Sequence, residues 1–308
     1  MRSTSERAHE SQHHPVMKIR FLGSFIATAI GIAVATTGAV SPANAKPARI
    51  VSLNLCADQL LVELAERRNI ASVTYFAPKP EYSPNASKAR GLKVNYGQAE
   101  EIIPLKPDLV FAGRFSARAT VGILRKLGYP VVEIPVVRSM ADVRRNVRLI
   151  AGAIGEKARG EALIGAFDAK LKSIRLDQSA ERPVAAIYWM RGNTAGIGTL
   201  MGAIVEQAGF TNLARRLGRS GVANLPLETL LSNPADALVL ASTSGDPPSL
   251  AAEAVTHPAL ARLIRTRPSV AMSSQLWSCG TPAVADAIAL LAELRRKVID
   301  RRKRERTR

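Results

Sequence analysis

The chain has 308 residues, a formal net charge of +18 and 47% hydrophobic residues, so a sizeable core is possible and the length fits two lobes better than one domain. Outside the first 45 residues it has a single histidine, His257, which excludes a metal site built on several imidazoles. Because His257 directly precedes Pro258, we expect it to be a loop or helix-capping residue.

Residues 1–45 have the pattern of a bacterial secretory signal. Lys18 and Arg20 precede an uncharged apolar run over 21–40, and Ser41-Pro42 ends that run before the small residues at 43–45. This pattern predicts cleavage after Ala45 and export to the periplasm. A transmembrane anchor is the alternative, and Met17 is an alternative start. Without the leader the chain has 263 residues and a net charge of +16.

Short apolar strands alternate with helices on both sides of a long proline-free interval between Pro135 and Pro183. On the first side we predict strands at 49–55, 72–76, 108–112 and 131–134, with helices at 58–66, 98–103 and 116–127. On the second side we predict strands at 184–189, 237–241 and 270–273, with helices at 199–208, 225–231, 250–254 and 283–299. Such alternation indicates parallel sheets with right-handed crossovers, and therefore α/β lobes of the Rossmann type.

The proline-free interval itself predicts two helices, 139–154 and 156–174, separated at Gly155. Ser139 is a good N-cap residue, and Asp142 occupies the capping-box position. We expect the second helix to cross between two lobes and the first to stay with the first lobe. The predicted organisation is a first lobe over 46–155, a connecting helix over 156–176, a second lobe over 177–300 and a basic tail over 301–308. Tails of this kind are usually solvated and frayed.

Aromatic and arginine side chains follow the predicted strands. In open α/β sheets ligands bind beyond the carboxyl ends of the strands, and aromatic rings or guanidinium groups there suit a large or anionic ligand. Core packing is the alternative for each aromatic taken alone. The predicted ligand-binding residues are Cys56, Phe76, Tyr96, Arg114, Phe115, Trp189, Arg191 and Trp277.

An internal repetition links the two halves. Glu100 lies eight residues before Asp108, which opens one strand, and Glu228 lies eight residues before Asp236, which opens another. Each glutamate begins a short apolar helix. If the halves are structurally equivalent, one carboxylate occupies the same position on each lobe; a solvated helix-start residue is the alternative.

Three runs carry a family likeness: RIVSLN at 49–54, GQAEEIIPLKPDLVFA at 97–112 and LRKLG at 124–128. Together with Pro226-Leu227-Glu228 and the segment around Trp277, they resemble the periplasmic substrate-binding proteins of ABC importers for cobalamin and ferric siderophores, the helical-backbone or class III type. The resemblance implies two α/β lobes joined by a single long helix, a ligand cleft between them, and no enzymatic activity. It also implies that Glu100 and Glu228 dock on arginines of the membrane permease.

The resemblance leaves several points open. Cys56 and Cys279 should lie near the cleft, one on each lobe, either bonded to each other or as free thiols. We predict a ferric siderophore as ligand ahead of cobalamin, with heme third, and we expect a monomer without a cofactor of its own. Fe³⁺ or cobalt would arrive only within the ligand.

Other classes of protein fit less well. The glycines at 196, 198 and 202 resemble a loose dinucleotide loop of an exported oxidoreductase, but their spacing departs from that motif. No G-x-S-x-G occurs to support a serine hydrolase. The histidine count opposes a metal-ion carrier. Nucleic-acid binding is disfavoured because the basic carboxyl end has no interleaved aromatics.

Overall fold

The computed structural model describes residues 46–176, 181–189, 192–242 and 257–307, without the side chains of 241 and 242. The predicted secretory signal at 1–45 and the predicted helix at 250–254 lie outside these ranges. Within them, no helix is both long and apolar enough to cross a lipid bilayer.

The first lobe is built on a five-stranded parallel sheet with the order β3-β2-β1-β4-β5. Its strands are β1 (Ile50–Ser52), β2 (Ile70–Thr74), β3 (Val94–Asn95), β4 (Leu109–Gly113) and β5 (Val131–Ile134). Its helices are α1 (Leu55–Leu64), α2 (Ala86–Ala89), α3 (Ala99–Ile102) and α4 (Arg118–Lys126). All neighbouring strands run parallel, as their alternation with helices predicts.

The second lobe has a four-stranded parallel sheet with the order β11-β10-β6-β8, beside an antiparallel pair formed by β7 and β9. Its strands are β6 (Val184–Tyr188), β7 (Asn193–Ala195), β8 (Thr211–Asn212), β9 (Val222–Asn224), β10 (Ala237–Ser242) and β11 (Ser269–Ser273). Its helices are α7 (Leu200–Gln207), α8 (Leu213–Arg216), α9 (Leu227–Ser232), α10 (Pro258–Thr266), α11 (Ser274–Trp277) and α12 (Val284–Arg306). The two sheets confirm the predicted fold class.

Two antiparallel helices, α5 (Met140–Ala153) and α6 (Lys157–Ser173), join the lobes. The hydroxyl of Ser139 caps α5 by accepting a hydrogen bond from the Asp142 amide at 3.2 Å. Along α6, Ile164 packs into the core of the first lobe, whereas Phe167 packs into the core of the second. This helix therefore connects the two cores, as expected.

The expectation that α5 stays with the first lobe is wrong. Its first turn reaches the second lobe, where Val143 is fully buried in the core, and only its later residues, such as Ile150, pack into the first. The reason is that α5 lies antiparallel against α6, so both helices cover both cores. Both helices therefore contact both lobes, although only α6 leads the chain from the first lobe to the second.

A disulfide links the lobes directly. Cys56, in the first turn of α1, is bonded to Cys279, which follows α11, with their Cα atoms 5.1 Å apart. Nearby, the Thr281 hydroxyl donates to the Gln59 side-chain oxygen across 3.2 Å, and both residues are buried. Gly280 lies so close to Val137 that an added Cβ would be 2.2 Å from the valine Cβ. The two lobes are thus in tight contact beside the disulfide.

The carboxyl end of the chain differs from its prediction. Instead of a frayed tail at 301–308, α12 remains helical to Arg306. The Arg302 guanidinium holds this end by pairing with Asp236 at 2.7 Å and with Glu181 at 2.6 Å. Those two carboxylates lie at the amino ends of β10 and β6. The tail is therefore part of the second lobe.

Candidate ligand-binding site

A cavity of about 600 Å³ lies at the carboxyl ends of β1 to β4 in the first lobe. Parallel strands place the loops that follow them at one edge of the sheet, which is where open α/β folds bind ligands. Its lining comprises 53–55, 74–76, Tyr82, 95–98 and 116–120. The cavity is thus the first lobe's contribution to a cleft.

Four aromatic rings form one wall of this cavity. The rings of Tyr75 and Tyr96 stack with centroids 5.0 Å apart, and Phe76 meets Tyr82 edge to face at 5.0 Å. The Lys79 ammonium lies 4.7 Å from the centre of the Tyr75 ring, in cation–π geometry. Tyr96 is 64% exposed, so most of its ring lies in solvent and lacks the stabilisation that burial of an apolar surface gives. The wall offers a flat apolar surface to a ligand.

Two asparagines shape the floor. The Asn54 side-chain oxygen caps α1 by accepting from the amides of Cys56 and Ala57, and its amide nitrogen donates to the Ser116 hydroxyl at 3.2 Å. The buried Asn95 amide donates to the carbonyls of Ser52 and Val73, both at 3.0 Å. These bonds join the loops after three strands into one fixed surface.

A buried carboxylate lies beneath that floor. Asp58 is 1% exposed and accepts hydrogen bonds from the Thr74 amide at 3.2 Å and the Thr74 hydroxyl at 2.5 Å. Burial raises the pKa of the Asp58 carboxyl from 3.8 to about 7, against the opposing effect of its bonds to Ser52 and Thr74. Thr74 also lines the cavity, so Thr74 alone separates the Asp58 carboxyl from the space in which a ligand would bind.

The loop after β4 places Arg114 and Phe115 beside the cavity. Phe115 is 73% exposed, and Arg114 is exposed with no ionic partner among the described residues. Both residues line a second, smaller cavity of about 190 Å³ between the lobes, next to Cys56. A Cβ on Gly113 would lie 2.5 Å from the Asn54 side chain, so the tight turn of this loop needs glycine. The loop is held at the junction of the lobes.

The structure does not bring all the predicted residues to this site. Phe76 and Tyr96 line the main cavity, and Arg114, Phe115 and Cys56 line the smaller one, although the Cys56 sulfur is engaged in the disulfide. Arg191 lies outside the described ranges.

The two tryptophans point inward. Trp277 is 1% exposed within the core of the second lobe, because the chain enters α11 directly after β11 and this short helix packs its last residue into that core. Trp189 is half-buried against the same core. The structure therefore corrects the placement of Trp277 from a cleft wall to the core, which was the alternative considered for each aromatic.

Sequence reasoning missed Tyr75, Tyr82 and Arg118. Tyr75 is adjacent to the predicted Phe76, and only a shift of β2 from 72–76 to Ile70–Thr74 brings it out of the strand. Tyr82 lies between the predicted strand at 72–76 and the predicted helix at 98–103, where the sequence predicts no element. Arg118, exposed at the start of α4, lines the cavity without an ionic partner among the residues described.

Glu100 and Glu228 each lie in the first turn of a short helix, α3 and α9, as the internal repetition predicts. Both are exposed, and neither has a hydrogen-bond or ionic partner within the described ranges. Glu101, not Glu100, closes the capping box of α3 by accepting from the amides of Tyr96 and Gln98. Burial, followed by the negative charge of Glu228, raises the pKa of Tyr188, the last residue of β6.

His257 and the glycine-rich segment at 196–202, which bear on the metal-site and oxidoreductase alternatives, have structural roles. His257 caps α10, its Nδ1 accepting from the Ala259 amide at 3.1 Å, as predicted. In the glycine-rich segment, a Cβ on Gly196 would lie 2.0 Å from the Arg219 carbonyl oxygen, so close backbone packing requires this glycine. The Thr199 hydroxyl already caps α7 by accepting from the Gly202 amide at 3.0 Å.

Comparison with known proteins gives consistent matches. A cobalamin-binding protein of Halobacterium salinarum is 28% identical over 222 residues, covering 70% of this chain and 59% of that protein. The chain thus spans about 59% of the length of that curated relative.

Solved structures match in fold. A periplasmic heme-binding protein from Roseiflexus sp. RS-1 in apo form superposes with a TM-score of 0.67 at 22% identity, over 81% of this chain and 98% of that one. A structure from Saccharomonospora viridis, described as an ABC-type Fe³⁺-hydroxamate transport system, superposes with a TM-score of 0.62 at 21% identity, over 81% and 93% respectively.

The family model described as periplasmic binding protein matches residues 50–268. That span begins at β1 and includes the whole first lobe, both connecting helices and most of the second lobe. It covers the aromatic cavity and both exposed glutamates. The chain belongs to the periplasmic binding protein family.

Proposed function

We propose that this protein is the periplasmic solute-binding component of an ABC importer for a large metal chelate. The observation that carries this proposal is the aromatic cavity at the carboxyl ends of the first sheet, whose lining residue Leu55 directly precedes the disulfide-bonded Cys56. A cavity of about 600 Å³ is within the range that binds sizeable organic ligands. Capture and delivery need no chemical step, so we expect no catalytic residues.

A corrinoid is the first candidate ligand. It is supported by the curated relative that covers 70% of this chain and is described as cobalamin-binding. The stacked tyrosines and Phe76 would contact the apolar face of such a macrocycle. The sequence by itself favours a ferric siderophore, and with this relative as support we propose a corrinoid ahead of it.

A ferric siderophore is the second candidate, and heme the third. The specific observation in favour of an anionic chelate is the pair Arg114 and Arg118, both exposed beside the cavities without ionic partners among the described residues. Guanidinium groups bind carboxylate and similar anions in bidentate geometry.

The ligand is tested by titrating the purified exported protein with cyanocobalamin, hemin and a panel of ferric siderophores, using intrinsic fluorescence quenching and calorimetry. Saturable binding of cyanocobalamin with the highest affinity supports the first candidate. Preference for an anionic ferric siderophore, lost in the variant Arg114→Ala with Arg118→Ala, supports the second. Binding of none of these chelates would overturn the proposal.

We also propose that Glu100 and Glu228 dock on the permease. Two exposed carboxylates, one on each lobe, can pair with arginines of a membrane partner and set the docking register. Replacing both by alanine should weaken permease binding in reconstituted membranes and leave chelate affinity unchanged.

A matched control replaces Glu66 and Glu293 by alanine, since both are exposed and the change in net charge is the same. Equal weakening by both double variants would assign the effect to net charge and contradict specific docking.

A further inference from the structure

The proposed import function leaves the basic end of α12 without a role. Lys297, Arg301 and Arg304 recur at helical spacing and therefore share one side of the helix; we call them the basic stripe. Lys297 and Arg304 are exposed and have no ionic partner within the described ranges. Arg301 pairs with Glu305 at 2.7 Å.

The stripe is held in place and is not a solvated tail. Arg295 is 3% exposed and donates to the Gly209 carbonyl at 3.1 Å, which fixes α12 two residues before the stripe begins. Arg302 pairs with Asp236 and Glu181, and Arg301 donates to the Thr266 carbonyl at the end of α10. These contacts fix the helix that carries the stripe, so its backbone does not have to be ordered when a partner binds.

A second element extends the positive surface. The contact between Arg301 and Thr266 brings α10 against this part of α12, and α10 carries the exposed Arg262 and Arg265. Arg267, just after α10, is close enough to Glu305 to lower the pKa of that carboxyl, together with its stronger partner Arg301. Positive groups from two helices therefore converge on one end of the second lobe.

The surface has the character of a peripheral electrostatic contact. None of the exposed large hydrophobic side chains in the described ranges lies on α10 or α12, so insertion into an apolar phase is not supported. No aromatic interleaves the basic residues, which disfavours stacking on nucleic-acid bases. These positive charges are spread along a helix and do not surround a single pocket. They therefore suit an extended array of anions more than one small anion. A bilayer of anionic phospholipid is such an array.

We propose that the basic stripe, with Arg262 and Arg265, binds the surface of an anionic phospholipid membrane. Asp236 and Glu181, which pair with Arg302 on the helix that carries the stripe, mark the amino ends of β10 and β6, whereas the ligand cavity lies at the carboxyl ends of the first-lobe strands. Membrane contact through the stripe leaves the cavity open. It would keep the binding protein near the membrane between transport cycles, with its cleft accessible to ligand.

The test is co-sedimentation of the exported protein with vesicles of phosphatidylcholine alone or with phosphatidylglycerol, at low and at high salt. We expect binding only to the anionic vesicles and its loss at high salt, because surface charges are screened. The variant Lys297→Glu with Arg304→Glu should lower the partition coefficient at least about ten-fold, since each basic residue near an anionic surface contributes separately.

The matched control is Lys93→Glu with Lys126→Glu, two exposed lysines of the first lobe without ionic partners in the described structure. It has the same net charge as the stripe variant and should retain binding. Equal loss in both variants would overturn the proposal, as would the absence of binding to anionic vesicles or tighter binding to duplex DNA than to the vesicles. None of these measurements depends on which chelate the protein carries, so failure here leaves the import function standing.

Discussion

The two lobes use the same α/β construction but treat their aromatic residues in opposite ways. In the first lobe, Tyr96 is 64% exposed in the lining of the cavity of about 600 Å³, and Phe115 is 73% exposed beside the cavity of about 190 Å³. In the second lobe, Trp277 is buried and Trp189 half-buried against the core. Among the residues described, the exposed aromatic rings therefore belong to the first lobe, where we propose that the ligand binds. The second lobe closes the junction and holds the basic stripe.

The two lobes also differ in the charged residue that each of them buries. The first lobe buries a carboxylate, Asp58, directly beneath its cavity, whereas the second buries a guanidinium, Arg295, at the end of the molecule that carries the stripe. Arg295 is satisfied by carbonyl oxygens. Asp58 is satisfied by Thr74, yet its burial still favours the neutral acid. The first lobe thus has a proton-sensitive group next to its candidate site.

The largest effect is expected from the buried tryptophan. Trp277→Ala should lower the free energy of unfolding by about 3–5 kcal/mol, because it opens a cavity in the core. Phe76→Ala, a change of the same kind at a half-buried cavity residue, should cost less and should act mainly on chelate binding. Urea denaturation followed by circular dichroism measures both. Similar losses of stability would contradict the assignment of one ring to the core and the other to the site.

The disulfide should have the next largest effect. Cys56→Ser with Cys279→Ser removes a crosslink between residues 223 positions apart and should lower the free energy of unfolding by about 2–4 kcal/mol. Because the bond joins the lobes, its loss should also let them separate more readily. Small-angle scattering should then show a larger radius of gyration for the ligand-free variant than for the parent. An unchanged denaturation midpoint would count against the crosslink.

Asp58 predicts a pH dependence of stability. Its pKa is raised on folding from 3.8 to about 7, so the folded chain binds this proton more tightly than the unfolded chain. Its contribution to stability is complete below about pH 4 and is lost as the pH rises through about 7, at most about 3 kcal/mol between pH 5 and pH 8. Asp58→Asn should flatten the pH profile over that window. Parallel profiles for parent and variant in urea melts would refute this role.

The smallest effect concerns one ring of the aromatic wall. Tyr96→Ala should weaken binding of the chelate found by the titrations by up to about ten-fold, since stacking surfaces of this kind contribute roughly 0.5–1.5 kcal/mol. Stability should change little because the ring is mostly exposed. Tyr129→Ala, at a first-lobe tyrosine outside the cavity lining, is the control for calorimetry. Equal weakening by both would remove the aromatic wall from the binding site.

The sequence by itself determined the alternation of strands and helices, the two lobes, and several helix ends. These features follow from local rules: apolar periodicity, and caps such as Ser139 that satisfy the amides of their own first turn. The rule that ligands bind at the carboxyl ends of strands also found Phe76 and Tyr96.

Only the tertiary structure decided the rest, because it depends on partners distant in the chain. The short strands β3, β7 and β9 have no periodicity to detect and exist through pairing with β2 or with each other. Trp189 and Trp277 follow strands just as Tyr96 does, yet packing turned Trp277 inward. Cys56 meets Cys279, and Arg302 meets Asp236, only once both lobes are folded. Contacts across long separations set these outcomes, whereas local periodicity and capping set the elements themselves.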